Sequence, residues 1–193
     1  MANKRKNNLI FPGIMVLIVA ATFYAFLNQG GQNMKYSPAP NDLEIKNGTG
    51  IRNGDIPSDF VVLTSDGTTL WLHDVIGKGK PAVIYFMATW CEWCRKDYAE
   101  LSKVYGKYEN NITIISISLD LSENFLKLRE YKKGYPELEK TIFAQGQKQI
   151  LKDYGITKTT TKYFIYANGT IKYRTIGAIE SDEWDSMLKE LLK

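Results

Sequence analysis

The sequence predicts an α/β sandwich on a mixed central sheet, preceded by one transmembrane helix. Three observations carry this. Apolar runs at Ala82–Met87 and Ile112–Leu119 read as buried strands, and each is followed by an amphipathic segment, the pattern of parallel crossovers. Further on, Tyr163–Tyr166 and Thr170–Thr175 flank Ala167-Asn168-Gly169, a hairpin signal that adds antiparallel strands. Near the N-terminus, Leu9–Leu27 is a stretch of 19 residues without a charge, long enough to span a bilayer core of about 30 Å.

In chain order, residues 1–8 form a short basic N-terminus with Lys4, Arg5 and Lys6, and no acid occurs before residue 28. That asymmetry predicts a cytoplasmic N-terminus and an exported remainder. A cleaved signal peptide has an apolar region of about 7–15 residues and a small-residue cleavage site. This stretch is longer and ends in Phe23-Tyr24-Ala25-Phe26-Leu27, so residues 9–27 read as an uncleaved anchor. Residues 28–53 are polar and rich in Asn, Gly and Pro, the composition of a flexible tether. Residues 54–193 read as the folded domain.

Within it, Asp59–Leu72 holds two short strands around Ser65-Asp66-Gly67. Asp74–Lys80 is a turn before the strand Ala82–Met87. A helix over Glu92–Glu109 puts Tyr98, Leu101, Val104, Tyr105 and Tyr108 on one face. Ile112–Leu119 is apolar on both faces, as a central strand requires. Ser122–Lys133 reads as a helix with Phe125, Leu126 and Leu128 inward. Thr141–Ala144 is a short strand, and Gln147–Tyr154 a helix stopped by Gly155. After the hairpin comes a helix over Ser181–Leu192, with Trp184, Met187, Leu188, Leu191 and Leu192 on one stripe.

Composition bounds the function. Hydrophobic content of 44 % with 12 Tyr, 8 Phe and 4 Trp supports a real core. Residues 28–193 carry 22 basic and 21 acidic groups, a balance that gives no electrostatic footprint for nucleic acid. Two cysteines are too few to staple a fold, so their use lies elsewhere.

Both lie in Trp90-Cys91-Glu92-Trp93-Cys94, where the strand Ala82–Met87 passes into a helix. Cys91 falls at the helix N-terminus, where free N–H groups and the helix dipole favour an anion, here a thiolate. Cys94 lies one turn on, within reach to close a disulfide. Cys91 is thus the attacking thiol and Cys94 the resolving one. A structural bridge over so short a loop would stabilise little. Structural zinc takes about four ligands, and the chain offers two thiols and one histidine, His73, which reads as a surface residue. An isolated CxxC at a strand-to-helix junction is a redox signature. Asn47, Asn111 and Asn168 head Asn-x-Thr triplets, glycosylation acceptors in an exported protein.

Four stretches resemble the thioredoxin superfamily and, within it, the membrane-anchored TlpA/ResA-like thiol-disulfide oxidoreductases. They are Ile56–Phe60 with Asp66-Gly67, Gly79–Cys91, Tyr154-Gly155-Ile156, and Phe164-Ile165 with Asn168-Gly169. The likeness covers about residues 54–193. It implies a thioredoxin-like sandwich with an N-terminal β-hairpin extension. It also implies that Cys91 and Cys94 cycle between dithiol and disulfide, without another cofactor or a bound metal. Trp90 and Glu92 then tune the pair, while Trp93, Thr159 and Thr160 dock the substrate. The implied partners are protein thiol and disulfide substrates and a membrane electron donor.

Glu92 between the cysteines opposes the thiolate, which makes the dithiol less stable and the pair more reducing. Asp97, one turn beyond Cys94, reads as a solvated surface acid, with proton relay as its other role. There is one departure from the family pattern. The family carries a cis-proline opposite the CxxC, and here Thr160 stands in its place within Gly155–Thr161. A cis Xaa-Thr bond would cost about 3–4 kcal/mol, so the loop either stores strain or is trans. Three rival readings stay open: an oxidase or isomerase of the same fold, a Cu(I)-binding module, and an interaction protein that uses the fold alone.

Overall fold

Residues 48–193 are described by the computed structural model. The basic N-terminus, the expected span over 9–27, most of the tether and Asn47 lie outside the described residues. Among the described residues no helix is long and apolar enough to cross a membrane.

A hairpin opens the domain, with β1 (Val61–Leu63) antiparallel to β2 (Thr69–Trp71). The main sheet has five strands: β3 (Ala82–Met87), β4 (Thr113–Ser118), β5 (Ile142–Ala144), β6 (Thr161–Ile165) and β7 (Ile171–Ile176). Their order is β5-β4-β3-β6-β7. β3 and β5 flank β4 in parallel, and β6 runs antiparallel to both β3 and β7. The mixed sheet read from the sequence is therefore present. Among the described residues four α-helices complete it: α1 (Glu92–Ser102), α2 (Phe125–Lys132), α3 (Lys148–Asp153) and α4 (Ser181–Leu191).

β3 is buried at every position, and its alternation divides the core in two. Val83, Tyr85 and Met87 face one cluster, with Tyr98 and Leu101 of α1, Leu128 of α2, and Trp184, Leu188 and Leu191 of α4. Ala82, Ile84 and Phe86 face the other, with Phe60, Val62 and Leu72 of the hairpin region and Ile150 of α3. The hairpin also covers the β5 edge. Ser65 N donates to Phe143 O at 2.7 Å and Gln145 N to Leu63 O at 2.9 Å, which occupies groups an exposed edge strand would leave open. Residues before the hairpin join the sheet as well. Gly54 N donates to Ile171 O, Ile171 N to Asp55 O, and Ile51 packs on the second cluster.

Three helix expectations need correction. α1 stops at Ser102, and a separate 3-10 turn over Tyr105–Lys107 follows, with Gly106 inside it. Tyr105 and Tyr108 still reach the core from that turn. α2 starts at Phe125 because Asn124 caps it, its side-chain oxygen accepting from Lys127 N at 3.0 Å. Successive residues on a helix diverge by about 100°, so Leu126 points away from Leu128 and is 57 % exposed. Leu192 lies just past the end of α4 and is exposed rather than part of its stripe.

Candidate active site

β3 ends at Met87, and four residues later Cys91 becomes the N-cap of α1, with an extended backbone at φ −75° and ψ 113°. Its Sγ accepts from Cys94 N at 3.0 Å, the capping bond of this helix. The two cysteines are joined by a disulfide, with Cα atoms 5.2 Å apart. Both are buried, whereas Trp90 and Trp93 are 60 % and 62 % exposed and Glu92 is exposed between the cysteines. Each indole has one polar neighbour. Trp90 Nε1 donates to Asp120 Oδ2 at 2.8 Å, and Lys96 Nζ lies 4.6 Å from the centre of the Trp93 ring. Hydrogen bonds from Ser122 and Trp90 hold the Asp120 carboxyl below its ordinary pKa.

The turn that leads into Cys91 hangs on a residue the sequence did not single out. Glu123 is buried, and its carboxylate accepts from Thr89 N at 3.1 Å, from the Thr89 hydroxyl, and from Ser118 Oγ at 2.6 Å. Lys127 Nζ pairs with it at 3.1 Å. Its bonds to Thr89 cross 34 residues, and no local pattern announces them.

Thr159 and Thr160 precede β6. Thr161 of β6 is paired with Phe86 of β3, which sets the two threonines at the sheet end where Cys91 emerges. Among the described residues no peptide bond is cis, so the loop is trans. Thr160 instead has φ +58°, the one non-glycine residue in the left-handed region among those described. That conformation costs an L-residue about 1–2 kcal/mol. Its hydroxyl donates to Thr159 O at 2.5 Å and accepts from Gly177 N at 3.2 Å. The Thr161 hydroxyl donates to Lys158 O at 2.8 Å.

Asp97 is not on the surface. Cys94, Asp97, Tyr98 and Leu101 are the buried residues of α1, one helical stripe, and its phase carries Asp97 inward. Oδ1 accepts from Ile179 N at 3.0 Å and Trp184 Nε1 at 2.8 Å. Oδ2 accepts from Tyr85 OH at 2.8 Å and pairs with Lys162 Nζ at 2.5 Å. Lys162 is itself fully buried, and its ammonium also donates to Gly177 O at 2.6 Å and Thr160 O at 3.3 Å. Burial pushes its pKa down, against the pull of Asp97. Sequence reading missed Lys162; a lysine in an otherwise apolar strand run was the one available signal.

The remaining candidates are peripheral. His73 is exposed and hydrogen-bonds Asp59 at 2.7 Å through Nδ1. Asn111 and Asn168 are exposed, and Asn168 caps its own hairpin turn at Thr170 N. Among the described residues no group of three or more His, Cys, Asp or Glu side chains is placed to hold a metal ion.

Comparison with known proteins fits this geometry. The AhpC/TSA family model matches residues 54–174. The thiol-disulfide oxidoreductase ResA of Bacillus cereus is 28 % identical over 190 residues, covering 98 % of this chain and 97 % of that protein. ResA of Oceanobacillus iheyensis is 29 % identical over 197 residues, covering 97 % and 91 %. Among solved structures, a putative thiol:disulfide interchange protein DsbE from Chlorobium tepidum shares the fold, with a TM-score of 0.63 at 20 % identity over 74 % of this chain and 99 % of that one. Copper-bound ScoI of Arabidopsis thaliana shares it too, with a TM-score of 0.59 at 18 % identity over 70 % and 98 %.

Proposed function

This chain belongs to the AhpC/TSA family, among the ResA-like thiol-disulfide oxidoreductases of the thioredoxin superfamily, and from that premise we propose a membrane-tethered reductase of exported protein disulfides. The observation that carries the reading is the Cys91–Cys94 disulfide at the cap of α1, flanked by two exposed tryptophans. In the dithiol form, the Cys91 thiolate attacks one sulfur of a substrate disulfide. A mixed disulfide forms, and the displaced substrate sulfur leaves as a thiolate that takes up a proton. Cys94, deprotonated, then attacks Cys91 Sγ, which closes the intramolecular bridge and releases the second substrate thiol. Two electrons and two protons have passed to the substrate. A membrane dithiol donor restores the pair by the same exchange in reverse.

The cysteine pair is the whole redox machinery in this reading, with no cofactor or metal beside it. Residues 9–27 hold the domain on the outer face of the membrane. Trp93, Thr159 and Thr160 form the docking surface, and Trp90 and Glu92 tune the pair. Glu92 supports the reducing direction, since a carboxylate next to the developing thiolate makes the dithiol less stable. Disulfides of apocytochromes, reduced to thiols in cytochrome c maturation, are the substrate class the resemblance suggests.

The test is the reduction potential of the Cys91/Cys94 couple, by equilibration against glutathione or dithiothreitol. A reversible two-electron couple well below about −200 mV supports the reductase; one near about −180 mV or above turns the reading to an oxidase or isomerase. The missing proline favours one second reading, a module that holds Cu(I) between two thiolates. Stoichiometric Cu(I) retention with no turnover on disulfides would select it.

A further inference from the structure

The loop that faces the cysteines lacks the proline ring that would fix its backbone, yet it holds a threonine at φ +58°. Something else must keep it there. Thr160 O accepts two bonds, from Gly177 N and from the Lys162 ammonium, each at 3.3 Å, and only the second comes from a side chain.

An ammonium has three protons to donate, and the structure gives Lys162 three acceptors. They come from three segments. Asp97 Oδ2 belongs to α1, the helix that carries both cysteines. Gly177 O belongs to the turn between β7 and α4. Thr160 O belongs to the loop before β6. The same turn donates back to the loop, from Gly177 N to Thr160 Oγ1 at 3.2 Å. One side chain thus links the cysteine helix to the loop opposite it.

Stability alone does not call for this arrangement. A buried ion pair is often matched or bettered by apolar residues of similar volume. A fully buried lysine in a strand whose other residues are buried carries a desolvation cost that a valine or methionine there would not. Two of the three Lys162 bonds go to backbone carbonyls of the loop system, so the cost is offset where the chain bends toward the cysteines.

We propose that Lys162 is a positioning residue for disulfide exchange: anchored on Asp97, it holds the Thr159–Thr160 backbone in the conformation that receives a protein substrate, in place of a proline ring. This rests on the reading that a protein disulfide is the substrate. Lys162 touches no reacting sulfur and acts through the loop.

The test compares the full chain with its Lys162→Met and Lys162→Gln variants in three measurements. They are steady-state reduction of insulin disulfides, the rate with the small disulfide 5,5′-dithiobis(2-nitrobenzoate), and the equilibrium between dithiol and disulfide. For Lys162→Met we expect KM for insulin to rise about tenfold with kcat within about twofold, a loss of docking rather than chemistry. The small-disulfide rate and the redox equilibrium stay at wild-type values. Lys162→Gln keeps two donors without the charge and falls between the two; it carries the same comparison should Lys162→Met fail to fold. An unchanged KM in folded variants overturns the inference, as does a change confined to the redox equilibrium. An equal fall in both rates assigns Lys162 a structural role and also overturns it. If the wild type turns over the small disulfide but not insulin, the protein-reductase reading falls and this inference with it.

Discussion

Asp97 and Lys162 are an ion pair with unequal halves, and the inequality can be measured. Truncating Asp97 to leucine leaves the Lys162 ammonium buried without its counter-charge, a change worth about 3–5 kcal/mol. It also strips the acceptor from Tyr85 OH, Trp184 Nε1 and Ile179 N. Each buried donor left unmade costs about 1–3 kcal/mol. The total, on the order of 6–14 kcal/mol, is comparable with the whole stability of a domain, about 5–15 kcal/mol. Lys162→Met removes the ammonium, but the carboxylate keeps three donors, so the loss stays at the lower end of about 3–5 kcal/mol. Lys162→Met should therefore fold with a lowered urea midpoint, and Asp97→Leu should be unfolded or close to it. The double variant no longer buries a lone ammonium and should regain about 3 kcal/mol over Asp97→Leu, a non-additivity expected of contacting residues. Urea denaturation followed by tryptophan fluorescence reads all three, with Trp184 beside the pair as reporter. Equal losses in the two single variants would refute the reasoning, because they would show that the three other donors contribute nothing. A double variant less stable than Asp97→Leu would refute the charge argument.

Cys94→Ser should accumulate mixed disulfides between Cys91 and protein partners, visible as reducible bands on a non-reducing gel, while Cys91→Ser should give none. Gly146→Ala would place a Cβ 1.8 Å from Ser118 O, and this backbone oxygen cannot move without disturbing β4. Overpacking of this kind costs about 1–3 kcal/mol or more, read as a lower urea midpoint with an unchanged slope. Asp66, at the hairpin turn, has its carboxyl lowered to about 2 by hydrogen bonds from Thr64 and Thr68. A depressed folded-state pKa means that the folded protein binds fewer protons than the unfolded chain. Its contribution is present above the ordinary pKa of 3.8 and is lost as pH falls toward about 2. Asp66→Asn should flatten the acid limb of stability in that window, and an unchanged limb would count against those hydrogen bonds.

The strands and the cysteine site were legible because their signals are local. An apolar run ending in a turn and a CxxC at its exit need nothing from elsewhere in the chain, and Ala82–Met87 falls residue for residue on β3. The charged residues that brace the site were not legible. Glu123 reaches Thr89 across 34 residues, and Asp97 reaches Trp184 across 87. Charge patterning treats such residues as surface, and only the partners folded over them make burial tolerable. Asp97 had a local hint, since its spacing from Cys94 and Leu101 follows the apolar stripe, but its charge outweighed its position. The end of α1 failed for another reason: apolar spacing continues through Val104 and Tyr105, whereas the chain winds more tightly into a 3-10 turn. The state of the Thr160 loop was beyond sequence altogether, because both a cis and a trans bond satisfy the same letters.

The two buried carboxylates divide the work of fixing the cysteine turn. Glu123 holds its entry, accepting from the backbone and hydroxyl of Thr89 two residues before Cys91. Asp97 holds its exit, three residues after Cys94, and ties α1 to β3, β6 and the start of α4. Disulfide exchange requires one sulfur to alternate between an internal partner and an external one. With both flanks pinned by charge-assisted bonds, that alternation is confined to the sulfurs and their side chains. Neutral side chains would fill the same space, but they would not bind backbone N–H groups as strongly on either side of the turn. That is a physical reason for burying acids behind a redox pair, and it holds whichever way the electrons flow.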